Sequence, residues 1–285
     1  MENNVVLTSE SVIDLSPALM ERYGIKIIPL NISLGGKVYS DGIDINPEMI
    51  YEHNKKTGEL PKTTAANISE YTDFFKKFTD EGKTVIHFSL SGEFSSTCNN
   101  AKIAAEDLGN VFVVDTRNLS TGAGLVVLYA ADLVKSGMAP EEVAQKCNEI
   151  TPCVDASFII DSLEYLHKGG RCSAVAMFGA NLLKIKPCIE VKNGAMGVGK
   201  KYRGKFDMTI KEYVKDRLHD LDDIDTTRVF VTHAGCDEEL MNEMVKYVSD
   251  LNIFKEIFLT RAGCTISSHC GKDCMGVLFI RKSPI

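Results

Sequence analysis

The sequence predicts an α/β protein with two α/β domains, and two observations support this class. Apolar runs of strand length alternate with amphipathic stretches of helix length through most of the chain. The chain has 285 residues, which is enough for two ordinary domains. Because helices separate consecutive strands in the first half, we expect parallel pairing through right-handed crossovers and therefore a mostly parallel open sheet there.

The first half follows this alternation from its start. Residues 5–8 and 25–34 are predicted as strands, with a helix over residues 17–23 between them. Gly35-Gly36 predicts a hairpin turn, and Asn46-Pro47 predicts the start of a helix. Residues 60–67 are predicted as a polar loop. The remaining predicted elements of this half are strands 85–88 and 111–114 and helices 68–78, 98–108, 118–135 and 140–150.

The helix predicted over residues 68–78 has one strongly apolar face. We expect this face to pack into the core of the first domain, because apolar residues at helical spacing form a continuous stripe. The stripe consists of Ile68, Tyr71, Phe74, Phe75 and Phe78.

Thr151-Pro152 is the predicted boundary between the domains, which gives an N-terminal domain of residues 1–152 and a C-terminal domain of residues 153–285. Asn193-Gly194 in the second domain is a strong signal for a tight hairpin. A hairpin among helices favours a mixed sheet there. The predicted strands are 156–160, 187–191, 196–200, 229–232, 256–260 and 276–280, and the predicted helices are 163–168, 174–183, 207–221 and 238–251.

Composition and charge exclude several classes of function. A net charge of −7 and a pI near 5.5 argue against nucleic-acid binding, which needs clustered Lys and Arg. The longest apolar stretch, residues 122–134, is too short to span a membrane and contains Asp132. Nine cysteines without a secretory signal are typical of free thiols in a reducing compartment, so we expect a cytoplasmic protein.

Ser91 and Gly92 lie where a predicted strand passes into a predicted helix. The first amide groups of a helix lack intrahelical partners and carry partial positive charge, so an anionic head group is favoured at such a junction. The alternative is that Ser91 or Ser95 only caps the helix.

Four polar positions in predicted loops could form a binding site. They are Thr63-Thr64, Ser91-Gly92, Arg171 and His269. The sequence contains no GxGxxG, Walker or HExxH motif and no paired CxxC. Ligands of open α/β sheets bind beyond the carboxyl ends of the strands, where such loops meet, so a small ligand is the best hypothesis.

Five segments in order along the chain carry a resemblance to a known family. They are Leu60-Pro-Lys-Thr-Thr, Leu90-Ser-Gly-Glu-Phe-Ser-Ser, Leu163-Glu-Tyr-Leu-His-Lys-Gly-Gly-Arg, Leu183-Lys-Ile-Lys-Pro and Ser268-His-Cys-Gly. This order resembles the DegV family of fatty-acid-binding proteins over essentially the full length.

The resemblance implies a non-enzymatic carrier that needs no cofactor besides its ligand, a long-chain fatty acid. It implies two α/β domains, with the acyl chain buried in a tunnel of the N-terminal domain and the carboxylate near the domain junction. Carried over to this chain, Thr63 and Ser91 would contact the carboxylate, and Gly92, Arg171 and His269 would lie close to the head group. A separate fatty acid kinase subunit would be a possible partner.

Two other classes of function remain as alternatives. Ser91 as nucleophile and His269 as base would make a serine hydrolase acting on acyl esters, although the sequence has no G-x-S-x-G elbow. A structural metal site is the second alternative, although the spacing matches no common zinc pattern. Its ligands would be Cys264, His269, Cys270 and Cys274, with His233 and Cys236 as further candidates.

Overall fold

A computed structural model of the chain describes residues 4–173 and 185–285. The described residues form three sheets and confirm the predicted α/β class with a parallel sheet followed by a mixed one. The strands are β1 Val5–Glu10, β2 Lys26–Ile28, β3 Asn31–Leu34, β4 Lys37–Ser40, β5 Lys62–Thr64, β6 Thr84–Ser89, β7 Val111–Asp115, β8 Val154–Ile160, β9 Ile185–Lys192, β10 Ala195–Arg203, β11 Ile224–Ala234, β12 Glu256–Arg261 and β13 Cys274–Arg281.

Helices connect most of these strands. The helices are α1 Pro17–Tyr23, α2 Pro47–Thr57, α3 Ile68–Thr79, α4 Thr97–Glu106, α5 Ser120–Lys135, α6 Pro140–Ile150, α7 Glu164–Gly169, α8 Phe206–Arg217, α9 Glu238–Asp250 and α10 Cys264–Cys270. The helix predicted over residues 174–183 lies outside the described residues. Within the described part of the chain, no helix has the length and apolar character needed to cross a membrane.

The first sheet is parallel, as predicted, with strand order β2, β1, β6, β7. Helix α3 covers it with the expected face, since Tyr71, Phe74 and Phe75 are buried. Ile68 is an exception to the predicted stripe, because it is the first residue of the helix and is 41% exposed.

The single strand predicted over residues 25–34 is two strands that belong to different sheets. β2 pairs with β1 in the parallel sheet, whereas β3 pairs with β4 and β5 in a small antiparallel sheet. Pro29 lies between β2 and β3, and a proline cannot donate a ladder hydrogen bond, so the break falls there. β5 lies where the sequence predicted only a polar loop.

The third sheet is mixed and has six strands in the order β10, β9, β8, β13, β11, β12. All neighbours are antiparallel except β11 and β12. The predicted hairpin between β9 and β10 turns at Asn193-Gly194, with φ values of 51° and 82°. Positive φ at both central residues is the requirement of a type I′ turn, which Asn-Gly satisfies.

Helix α5 packs between the parallel sheet and the mixed sheet. It contacts β1 and β6 on one side and β8 and β13 on the other. Its residues belong to one hydrophobic core that also contains Val154, Phe230 and Leu278 of the mixed sheet. The two predicted domains therefore share a continuous core, and the boundary after residue 152 stays a prediction.

Candidate functional site

A mostly apolar cavity of about 570 Å³ lies between the mixed sheet and the loops, small sheet and helix ends of the first half. Both halves of the chain contribute to its wall. The lining residues are Leu30, Thr63, Thr64, Ala65, Leu90, Phe94, Ser95, Ser96, Asn100, Leu119 and Ser120 from the first half, and Ser157, Phe158, Leu166, Arg171, Met196, Thr232, His233, Ala234, Ala262, Thr265, Ile266, His269, Cys270, Cys274, Gly276 and Leu278 from the second. A volume of this size is typical of small-molecule sites.

Three of the predicted site residues come together in the wall of this cavity. Thr63 Oγ1 lies 2.9 Å from His269 Nε2, and Arg171 lines the same cavity. Thr63 pairs with Ile32 across β5 and β3, and residues directly opposite each other share one face of a sheet. Since Ile32 packs against Cys264, this face is the one that meets helix α10.

Arg171 reaches the cavity because helix α7 ends in a glycine turn. Gly170 has a φ of 68°, a left-handed conformation that favours glycine, and its amide donates to the His167 carbonyl. Arg171 follows directly and is exposed, and its Nη1 donates to the Gly169 carbonyl at 2.7 Å. A guanidinium at this point supplies positive charge near His269 in the cavity wall.

His269 is neutral at physiological pH. Burial and, next, the charge of Arg171 lower the pKa of the imidazole to about 4. Nδ1 has no hydrogen-bond partner among the described residues, whereas Nε2 faces the Thr63 hydroxyl. With the proton on Nε2, a neutral imidazole can donate to a ligand oxygen beside Thr63. Thr63 and His269 share one hydrogen bond, so a ligand oxygen would take a donor from this pair, and Arg171 adds positive charge to the same cavity.

Ser91 and Gly92 are absent from the described residues that line the cavity. Ser91 is fully buried, and its hydroxyl donates to the Gly194 carbonyl at 2.7 Å. The Gly92 amide donates to Asp115 Oδ2 at 3.3 Å. Their predicted contact with an anionic head group stays a prediction, and this geometry does not favour it.

The helix after this junction begins at Thr97, one residue before its predicted start and six residues after Ser91. The chain between Leu90 and Thr97 forms a loop, and Ser95 and Ser96 from this loop line the cavity. From the sequence, Ser95 was expected only as a possible helix cap. The run Ser95-Ser96-Thr97 is the sequence signal for a polar loop that ends at the start of a helix. Ser96 is the N-cap residue of this helix.

The buried hydroxyl groups elsewhere in the cavity wall already have protein partners. Ser157 pairs with the Tyr213 hydroxyl at 2.9 Å, and Thr265 donates to Asp41 at 2.6 Å. Thr232 lies between two other threonine hydroxyls, at 2.6 Å and 2.9 Å. An apolar tail can therefore cover this wall without leaving these groups unsatisfied, which would otherwise cost free energy.

The geometry does not support the two alternative functions. Ser91 bonds to Gly194 and His269 bonds to Thr63, so the serine and the histidine are not paired as nucleophile and base. For the metal alternative, the ranges 4–173 and 185–285 contain no group of three or more His, Cys, Asp or Glu side chains placed to hold an ion.

Comparison with known proteins gives consistent matches over nearly the whole chain. A family model described as an uncharacterised protein of the DegV family matches residues 4–282. A DegV domain-containing protein of Caldanaerobacter subterraneus is 32% identical over 283 residues, which cover 98% of this chain and 99% of the relative.

Two solved structures have the same fold. One is described as fatty acid binding of a DegV family protein from Thermus thermophilus. It is 25% identical to this chain with a TM-score of 0.88, and the match covers 97% of this chain and 99% of that chain. The other is described as a stearic acid-binding protein from Eubacterium ventriosum. It is 28% identical to this chain with a TM-score of 0.84, and the match covers 97% of this chain and 98% of that chain.

Proposed function

Because the chain belongs to the DegV family, we propose that it binds a long-chain fatty acid in the cavity between the mixed sheet and the first half of the chain. The observation that carries this proposal is the division of the cavity wall. Thr63, Arg171 and His269 offer hydrogen-bond donors on one part of the wall, and the buried hydroxyls elsewhere in the wall have partners within the protein. A carboxylate fits the first region and an acyl tail fits the rest.

The tail would supply most of the affinity. Burying one methylene group is worth about 0.8 kcal/mol, so a dozen outweigh the roughly 1.5–3 kcal/mol of a hydrogen bond to a carboxylate. The realised free energy is smaller because the flexible chain must be ordered on binding. In this cavity the tail would contact both halves of the chain rather than the N-terminal half alone.

The head group would sit beside Thr63 and His269 and be neutralised by Arg171. Arg171 is exposed, so the carboxylate would lie at the end of the cavity nearest to solvent. We therefore extend the proposal to a carrier that presents the carboxylate to a separate fatty acid kinase.

A phosphate-transfer assay tests this extension. In the presence of a bacterial fatty acid kinase subunit, labelled phosphate should pass from ATP to the bound fatty acid. Absence of transfer would contradict the kinase partnership.

Lipid extraction tests the binding proposal directly. Protein purified from a bacterial host should release a stoichiometric long-chain fatty acid into organic solvent, which mass spectrometry identifies. Delipidated protein should take up added stearic acid. Absence of both would overturn the proposal.

A cavity-filling variant provides the matched comparison. Ala262 is buried in the cavity wall, so Ala262→Phe should abolish uptake. Ala18 is exposed on helix α1, and Ala18→Phe should leave uptake unchanged. Equal uptake by both variants would place the lipid outside this cavity.

A further inference from the structure

The helix that carries His269 is held at its N-terminus by a carboxylate from the other half of the chain. Asp41 Oδ1 accepts a hydrogen bond from the Cys264 amide at 2.9 Å. Its Oδ2 accepts from the Thr265 amide at 2.9 Å and from the Thr265 hydroxyl at 2.6 Å. Asp41 is only 4% exposed. Three donors at the start of α10 therefore depend on one side chain.

Asp14 supports the same helix end. Its Oδ1 accepts from the Gly263 amide at 2.8 Å, and its Oδ2 pairs with the Ser120 hydroxyl. Burial and the nearby Asp41 raise the pKa of Asp14 to about 8. Protonation of Asp14 lets the two acidic side chains lie together without repulsion between two full negative charges.

Helix α10 has seven residues, too few for stability without outside contacts. The amides at the start of a helix lack intrahelical partners, and a carboxylate both accepts from them and favours the helix dipole. Thr265 and His269 are four residues apart, so they lie on the same face, and both line the cavity. The position of Thr265 against Asp41 therefore determines the position of His269 one turn away.

The small antiparallel sheet region contacts this helix at two points. Asp41 follows β4 directly, and its amide donates to the Leu30 carbonyl just before β3. Thr63 on β5 meets His269 at the other end of the helix. One sheet thus fixes both the start of the helix and the imidazole near its end.

We propose that Asp41 is a positioning residue for head-group recognition, which acts through the first turn of α10 to hold His269 beside Thr63. This inference rests on the proposed function. It assigns specificity for the acid head to a side chain that does not line the described cavity wall.

The test compares stearic acid with stearyl alcohol, two ligands with the same tail length and different heads. Loss of His269 positioning should weaken binding of the acid about tenfold while changing binding of the alcohol by less than about twofold, because only the carboxylate gains a charge-assisted hydrogen bond from the site. Asp41→Ala should therefore lower the acid-to-alcohol affinity ratio. Asp41→Asn keeps one acceptor oxygen and should give an intermediate ratio.

Asp237→Ala is the matched control. Asp237 is the N-cap residue of helix α9, with its Oδ1 accepting from the Glu239 and Leu240 amides, and it does not line the described cavity. This variant should lose stability without a change in the affinity ratio. If Asp41→Ala does not fold, the Asn variant alone decides, and an unchanged ratio there overturns the inference.

A double-mutant cycle separates action through His269 from a direct effect on the cavity. In a His269→Ala background, Asp41→Ala should cause no further fall in the acid-to-alcohol ratio. Independent, additive losses would overturn the inference. If the wild-type protein bound neither stearic acid nor the alcohol, the proposed function itself would fail, which is a distinct result.

Discussion

At the scale of single residues, the proposed site depends on an imidazole that is neutral in the free protein at physiological pH. The pKa of His269 is lowered to about 4, and a carboxylate beside Nε2 would raise it. Binding would then take up a proton at any pH between the free and the bound pKa. Affinity for the acid should consequently rise as the pH falls through this window.

We expect the pKa of His269 to increase when stearic acid binds. NMR titration of the imidazole proton signals with and without the lipid measures this change. His233 is the internal control, because it also lines the cavity and its pKa is lowered by burial and by Arg261. A bound-state pKa for His269 that is equal to the free value would contradict a carboxylate at this position.

Gly169 determines how closely helix α7 approaches the imidazole. A Cβ built on this glycine would lie 2.6 Å from His269 Nδ1, closer than real contacts allow. Gly169→Ala should therefore displace the ring and weaken binding of stearic acid by about 1–3 kcal/mol, the cost of one hydrogen bond to a charged group. Isothermal titration calorimetry measures the loss.

Gly197→Ala is the control for this substitution. A Cβ on Gly197 meets nothing within 4 Å, so its affinity should stay at the wild-type value. Unchanged affinity in Gly169→Ala as well would show that His269 tolerates displacement and does not contact the head group.

At the scale of elements, the hairpin of β9 and β10 is fixed to the first half through Ser91. The Ser91 hydroxyl donates to the Gly194 carbonyl in the turn, and Arg117 donates to the neighbouring Asn193 carbonyl. Ser91→Ala should cost about 1 kcal/mol of unfolding free energy and should raise amide exchange in the turn.

Hydrogen exchange read by mass spectrometry checks the effect on the hairpin. Ser136→Ala is a suitable control, since Ser136 also donates to a backbone carbonyl but lies exposed at the end of α5. Faster exchange confined to the hairpin is the expected result for Ser91→Ala. Unchanged exchange there, with lipid binding lost, would instead favour the carboxylate contact that the sequence predicted.

Most helices and strands were predictable because their signals are local. Helix α3 has an apolar stripe and a capping box at Asn67 and Glu70, and α2 begins at Pro47. Helix α10 has no such signal, since Cys-Thr-Ile-Ser-Ser-His-Cys contains few strong helix formers. It is stabilised by Asp41, which is 224 residues from Thr265 along the chain, and a periodicity argument cannot detect that contact.

The site was predictable only in part, for a related reason. Thr63, Arg171 and His269 stood out only as polar residues in loops, which is a weak signal, and the family resemblance supplied their role at the head group. Ser91 had the stronger local argument, since an anion is favoured where a strand passes into a helix. The helix begins six positions later, at Thr97, so the amides near Ser91 belong to a loop and that argument does not apply to them.

At the scale of the whole molecule, helix α5 joins the two large sheets into one core. Thr121 on this helix bonds to Thr232 of the mixed sheet at 2.6 Å, and Leu125 is fully buried. The two halves should therefore unfold together, and calorimetry should show a single transition with equal calorimetric and van't Hoff enthalpies.

The variant Leu125→Ala tests whether the two halves unfold together. Removing a buried leucine costs about 2–5 kcal/mol, so the transition should move to a lower temperature and stay single. Two separate transitions in either protein would show that the halves fold independently. The boundary predicted after residue 152 would then mark two autonomous units.

The shared helix also bears on how such a chain can diversify. Chimeras that join the first half of one relative to the second half of another must match the surfaces on both sides of α5. On the side of the mixed sheet, a Cβ on Gly122 would come within 3.1 Å of the Ala156 Cβ, so even one added carbon there requires a compensating change. Functional recombination should therefore be found where crossovers keep α5 and β8 from the same parent.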